Sequence, residues 1–350
     1  MLLGNPAASD SSSAGGAFCE AKMLQDLLKQ LLAGKTLVIA AALVDSPPAP
    51  TPASQMQLGP ALPPLGKIPA DYQPPDVTVR LFPPDYAIYQ DISQLPVHAL
   101  SATWLQSMGP GAPIHPDFGA AAYGAGMPYT ILPPTQAKVP VALRYADESD
   151  KGPWPIPPGC ILEAPSDSHC LLLEPASLLL YELYALSVTP TGYAAASGVI
   201  WDLAKVPARP AGFTSADAAG LPILPLLVRY DEATSPSGIR HALRFTAKPT
   251  QNKWLPPANH QSGQANANYP PMGCRIRLKS TVDLTLVKSA KVRAILQAAR
   301  TYGLILADNG TSGYVQGTPD QRWNDDEMAE LKHYHLADFE VVDTGATLQP

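Results

Sequence analysis

Proline constrains this chain more than any other residue, occupying 40 of its 350 positions, about one in nine. Each proline lacks a backbone N–H and fixes φ, which interrupts helices and confines strands to short runs. A mainly helical fold is excluded at that density. Between the prolines, apolar or alternating runs of strand length recur. They include Val77–Phe82 (VTVRLF), Val139–Ala146, Leu224–Glu232 (LPLLVRYDE), Ile239–Ala247 (IRHALRFTA) and Cys274–Leu286. His169–Val188 (HCLLLEPASLLLYELYALSV) is two apolar runs around Glu174-Pro175-Ala176-Ser177, which predicts a hairpin, with Ser197–Val206 as a third strand. Many short strands with turn-rich connections predict a mainly β fold, a β-sandwich of jelly-roll-like type.

Helices are expected only near the C-terminus. From Ser289, Val292, Ile295, Leu296 and Ala299 recur at helical spacing until Gly303 stops the run. Leu304–Asp308 then reads as a strand leading into an Asn309-Gly310 hairpin turn. A second helix is expected from Asn324, with acids in its first turn.

The N-terminal part reads as an address. Residues 1–46 contain Lys29 and Lys35, then an apolar run from Thr36 to Val44, too short to span a bilayer but suited to a signal-peptide core. Residues 47–75 form a proline-rich linker, expected to be extended and mobile. Residues 76–350 are then one β-rich domain, secreted, with no membrane insertion of the mature chain. The net charge of −6 gives no reason to expect nucleic acid or an anionic membrane as partner. Outside the leader's Cys19, Cys160 and Cys170 lie ten residues apart, a spacing that permits a disulfide, and Cys274 is odd. No CxxC pair supports a zinc–thiolate site, and no metal is assigned.

Familiar catalytic signatures are missing: no GxSxG elbow, Walker loop, GxGxxG or HExxH occurs. What stands out is acids in apolar settings. Glu182 lies within LLLYELYAL, on a strand face shared with Leu180 and Tyr184. Asp202 lies in GVIWDLA, beside Trp201, and Asp217 lies among alanines next to a Gly-Leu-Pro turn. A carboxylate in apolar surroundings must be paired, protonated or put to use. Carboxylates gathered on a β surface with aromatics nearby are the minimum equipment for glycoside hydrolysis. Glu182, Asp202 and Asp217 are therefore the candidate acid, base or nucleophile. Trp154, Trp201 and Tyr184 are candidate stacking platforms for sugar rings. The plainer alternative is that these acids cap turns or pair with Arg144, Arg229 or Arg244.

Other polar residues are assigned to substrate contact or to structure. Asp147, Glu148 and Asp150 crowd a turn that reads as solvated acids, a sugar-contacting loop or a structural calcium site; no other cofactor is expected. His169 and His241 lie among apolar neighbours and read as hydrogen-bonded core histidines or as ligand contacts. His115 and Asp117 have chelating spacing but read more simply as a surface turn, and Asp308 as a turn former before Asn-Gly.

The ordered motifs HPDFG, YADESDKGPWPIPPG, LYELYAL, RPAGFTSADAAGLPILPLLVRYDE, IRHALRFT, PPMGCRIRLK and RTYGLILADNGTSGYVQGTPDQRWNDDE resemble an uncharacterised family of secreted bacterial proteins of actinobacterial and acidobacterial type. The resemblance spans residues 75–345. It implies export and a single β-rich domain, and it carries no catalytic assignment.

The leading expectation is thus a secreted glycoside hydrolase, monomeric, acting on a polysaccharide or oligosaccharide. The alternatives are a lectin-like binding or cell-surface protein and a polysaccharide lyase. The negative net charge weighs against the lyase, which needs a cationic groove.

Overall fold

The structure, a computed structural model, describes residues 62–164 and 167–350. The expected leader at 1–46 and residues 47–61 of the expected linker lie outside the described residues. The rest of that proline-rich stretch is packed rather than free. Gly66 bridges Ile161, Leu62 and Leu65 lie against a hydrophobic cluster, and the Tyr72 hydroxyl donates to the Tyr129 carbonyl at 2.8 Å.

The described chain is mainly strand, in three sheets with a few short helices, and no barrel closes. The largest sheet runs in the order β1 (His115–Asp117), β12 (Tyr314–Gln316), β9 (Leu243–Ala247), β11 (Leu304–Asn309), β10 (Arg275–Leu278), β13 (Phe339–Val341). The second runs β2 (Tyr129–Ile131), β4 (Cys170–Glu174), β5 (Leu179–Tyr184), β8 (Ser197–Asp202). The third runs β3 (Val141–Leu143), β7 (Gly192–Ala195), β6 (Ser187–Thr189). Parallel neighbours occur in all three: β1 with β12, β9 with β11, β2 with β4, and β3 with β7. A jelly roll is built from antiparallel Greek keys, so this pairing supports the β-rich reading without establishing that arrangement.

The expected β4–β5 hairpin forms, and β8 pairs with β5. Period-two alternation places the faces of this sheet in two different cores. Leu171, Leu173, Leu180, Val199 and Trp201 join the large cluster around the six-stranded sheet. Cys170, Leu172, Tyr181 and Leu183 join a smaller one around Trp154. Both faces are covered, which is why these strands read as apolar runs.

Four α-helices are described: α1 (Ser101–Met108), α2 (Tyr230–Thr234), α3 (Ala290–Thr301) and α4 (Asp325–Met328). The Ser289 hydroxyl caps α3 by accepting from the Val292 amide at 3.1 Å. Val292, Ile295, Leu296 and Ala299 are buried, and Gly303 ends the run at φ +80°. The Asn324 side chain caps α4. Among the described residues no helix is long and apolar enough to cross a membrane.

Several expected elements differ. Val77–Phe82 forms no strand, being hemmed by Pro74-Pro75 and Pro83-Pro84, with Phe82 at φ +83°. Leu224–Leu226 is a 3-10 turn with a proline near its start, and the acids that follow occupy the first turn of α2. Asn309-Gly310 does not close a hairpin, because β9 lies between β11 and β12. The Asn309 side chain instead donates to the Ser262 carbonyl and accepts from the Thr250 hydroxyl at 2.7 Å. Helix α1 had too short an apolar stripe to be read, with Trp104, Leu105 and Met108 as its inner face.

Gly273 supplies the approach to β10. It holds φ +77°, and a Cβ there would stand 2.0 Å from the Leu255 carbonyl oxygen. Gly273→Ala is expected to lower the free energy of unfolding by more than the roughly 1–3 kcal/mol of left-handed strain alone. Urea denaturation followed by circular dichroism checks this.

Candidate functional site

Each of the three nominated acids is taken up by its own partners. On β5, Glu182 is fully buried. Its carboxylate accepts from the Ile223 and Leu224 amides, each at 2.9 Å, and from the Trp201 indole N–H at 2.8 Å. Burial pushes the carboxyl above its ordinary range, opposed by those three donors. The two amide contacts tie the strand to the start of the 3-10 turn and the indole contact ties it to β8, so Glu182 clamps these elements together. Asp202 stands opposite Leu179 in the β5–β8 register, three residues from Glu182. That is about 10 Å along the strand and on the other face of the sheet. It is exposed and pairs with Lys205 at 2.6 Å, and this contact draws its carboxyl below the usual range.

Asp217 answers why a carboxylate sits among alanines. Its Oδ2 accepts from Arg244 Nη2 at 2.9 Å in a pair with both side chains fully buried. Its Oδ1 accepts from the Ala219 amide at 2.7 Å, closing the turn at Ala218 to Gly220. Burial raises its pKa to about 7, with Arg244 pulling the other way. The hydrolase built on Glu182, Asp202 and Asp217 therefore loses its geometric basis.

The other nominated residues divide. Trp154 is no sugar platform. It is wholly buried, with an indole pressed against Gly198, where an added Cβ would stand 2.6 Å from the ring. Trp201 is buried, with the Arg209 guanidinium 5.6 Å from its ring centroid. Asp150 accepts from the Ile200 amide at 2.7 Å and from Arg209 at 3.1 Å, while Asp147 is exposed. His169 is buried with Nδ1 against the Glu163 carboxylate and Nε2 at 2.9 Å from the Ala216 carbonyl. Burial works to lower its pKa, but Glu163 overrides that and raises it. With an acceptor facing each nitrogen, both ring positions are taken up within the fold. His241 contacts the Ala242 carbonyl at 2.8 Å and Glu232 at 3.1 Å. Among the described residues no three His, Cys, Asp or Glu gather as a metal site, and the acids at 147–150 go separate ways.

Tyr184 does line a cavity, of about 470 Å³, where six stretches of chain converge. Tyr145 and Glu148 come from the turn after β3, Tyr184 and Ser197 from β5 and β8, and Thr214 to Ala218 from the alanine-rich loop. His260 and Ser262 come from another loop, and Asp308 and Asn309 from the end of β11. Asp217 lies in its wall, so the loop around it does pass a hollow, but its carboxylate is held by Arg244. Asp308 Oδ1 accepts its neighbour's amide at 2.6 Å, and burial raises its carboxyl above the usual range, with Arg244 and His169 opposing. Glu148 stands 3.8 Å from His260 Nε2. Asp308 was legible only as a turn former. The loop at 260–262 that shares this wall with it lies some 46 residues earlier, and no local pattern signals that.

Two further hollows exist. One of about 790 Å³ is lined by Tyr89, Tyr129, Tyr302, Arg80, Arg229, Arg240, Glu232 and His241. In it Glu232 binds Arg229 at 2.6 Å; burial acts to raise its pKa, yet Arg229 and His241 hold it down at about 2. The other, about 600 Å³, runs between Trp201, Trp254, Pro256 and Pro257.

The chain matches no protein-family model, no curated protein and no solved structure. The family resemblance in its motifs therefore supplies no assignment, and the site stands on its own geometry.

Two consequences are measurable. Glu182→Gln is expected to cost about 1.5–3 kcal/mol in urea unfolding through its weakened charge-assisted bonds. Asp202→Asn should leave the urea midpoint unchanged. A depressed carboxyl stabilises the fold fully above its unfolded value of 4.5, and that stabilisation is lost as pH falls towards about 2. Glu232→Gln should therefore flatten the fall of the heating midpoint across that window, compared with the unsubstituted protein.

Proposed function

We propose that this protein is exported and binds a carbohydrate in the cavity between Tyr145, Tyr184, Glu148, His260 and Asp308. The observation that carries the reading is the mixed character of that wall. Two phenol rings offer apolar faces of the kind that sugar C–H surfaces cover, with carboxylates and an imidazole beside them to take hydroxyls. Among the described residues neither phenol hydroxyl has a protein partner, whereas those of Tyr72, Tyr89 and Tyr129 do. Tyr145 is exposed at the rim and Tyr184 half-buried below it. The net charge of −6 favours neutral glycans over acidic ones.

A second reading, hydrolysis, is favoured by one observation: three carboxyl groups line this cavity, and of the two that Arg244 does not hold, Glu148 and Asp308, burial raises that of Asp308 above its ordinary range. A carboxyl shifted upward by burial is the direction a general acid requires, and Glu148 would be its partner. The aromatic residues and acids then serve the same ligand in both readings.

The experiment is retention on a panel of insoluble and immobilised neutral glycans, with reducing ends assayed in the same samples. Binding is expected on at least one glycan and should weaken about tenfold or more in Tyr184→Ala. Loss of reducing-end release in Asp308→Asn with binding kept would select hydrolysis. Binding without release selects the lectin-like protein. Retention on no glycan, or retention indifferent to Tyr184→Ala, overturns the proposal.

A further inference from the structure

We propose that Cys160 and Cys170 become joined by a disulfide while the protein folds. Their sulfurs stand 2.9 Å apart, in contact and fully buried within the cluster around Trp154. Backbone contacts that do not involve sulfur hold both residues in place. The Cys160 carbonyl accepts from the Gly66 amide at 2.7 Å, and its amide closes a turn on Pro157 at 3.1 Å. Cys170 opens β4, paired with Leu183 of β5. The fold thus presents two sulfurs to each other from independently fixed positions, the arrangement a cross-link needs. A metal role has no support, since among the described residues no third ligand joins them. Cys274 lies in the other cluster and, among the described residues, has no sulfur partner.

Burial also sets when the bond forms. Burial, and then Cys160 beside it, push the Cys170 thiol well above its usual range, so the folded chain holds little thiolate and admits little oxidant. The chemistry therefore belongs to the folding chain. With glutathione disulfide as oxidant, a Cys170 thiolate attacks one sulfur and releases one glutathione. The Cys160 thiolate then attacks Cys170 Sγ and releases the second. The two thiol protons end on the two departing glutathione thiolates, and the two electrons pass to glutathione with them.

The bond closes the segment that carries Glu163 and His169. His169 holds the Ala216 carbonyl, and its ring lies 5.2 Å from that of Tyr184; Ala216 and Tyr184 line the cavity. The cross-link would brace that wall from behind. It does not depend on which ligand the cavity takes.

The test is refolding of the full chain from denaturant with glutathione disulfide, followed by thiol alkylation in denaturant and peptide mapping. The chain has four cysteines. Two alkylated residues, Cys19 and Cys274, and one 160–170 link are expected. The oxidised form should melt on the order of 5 °C above the phosphine-reduced form. Reduced protein that is already folded should form the link at least about 100-fold more slowly than the refolding chain. Four alkylated cysteines, or a link between other positions, overturns the bond. Equal rates overturn its coupling to folding.

Discussion

The buried pair between Arg244 and Asp217 is the interaction around which this structure is arranged. Arg244 sits on β9, in the interior of the six-stranded sheet, with no exposed surface. An isolated guanidinium there would be intolerable, and its cost is offset by a carboxylate at 2.9 Å. Its field reaches further, because it lowers the carboxyl pKa values of Glu182 and Asp308 and acts on His169. Asp217 is at the same time the acceptor that shapes the alanine-rich turn, and that turn walls the cavity. One ion pair therefore couples the main sheet to the hollow assigned to the ligand.

Proline density explains how the remaining cations are used. Every proline removes an amide donor, so a loop-rich, buried chain has more carbonyls than backbone N–H groups to satisfy them. Arginine forks supply the difference. Arg275 donates to the carbonyls of Tyr302, Ala87 and Gln90, and Arg277 to those of Ile92 and Leu95. Arg293 and Arg300 serve the segment from Lys279 to Val287 in the same way, and Arg229 holds Leu224. With charged residues at only 15%, much of the positive charge is spent inside as loop fasteners.

Local patterns with a strong physical cause were legible in the sequence. The β4–β5–β8 meander follows from apolar runs around one Pro-containing turn, and α3 follows from its stripe, its serine cap and Gly303. The unusual acids were rightly singled out at Glu182 and Asp217, since both are buried among apolar neighbours. Their roles were not legible, because each is set by a partner far along the chain: Ile223 and Leu224 for Glu182, Arg244 for Asp217. Asp202 was misleading for another reason. It ends its strand, and the next turn supplies Lys205 in solvent. The cavity residues Tyr145, Glu148, His260 and Asp308 come from three distant stretches, and only the sheet order brings them together.

A double-mutant cycle on Asp217→Asn and Arg244→Met, read by urea unfolding, tests the central pair most directly. Each single change should destabilise strongly, by about 3–5 kcal/mol, because it strands a buried partner. The double variant should cost less than the sum by at least about 1.5 kcal/mol. Costs that add to within about 0.5 kcal/mol would contradict the account, leaving two neighbouring charges that do not depend on each other.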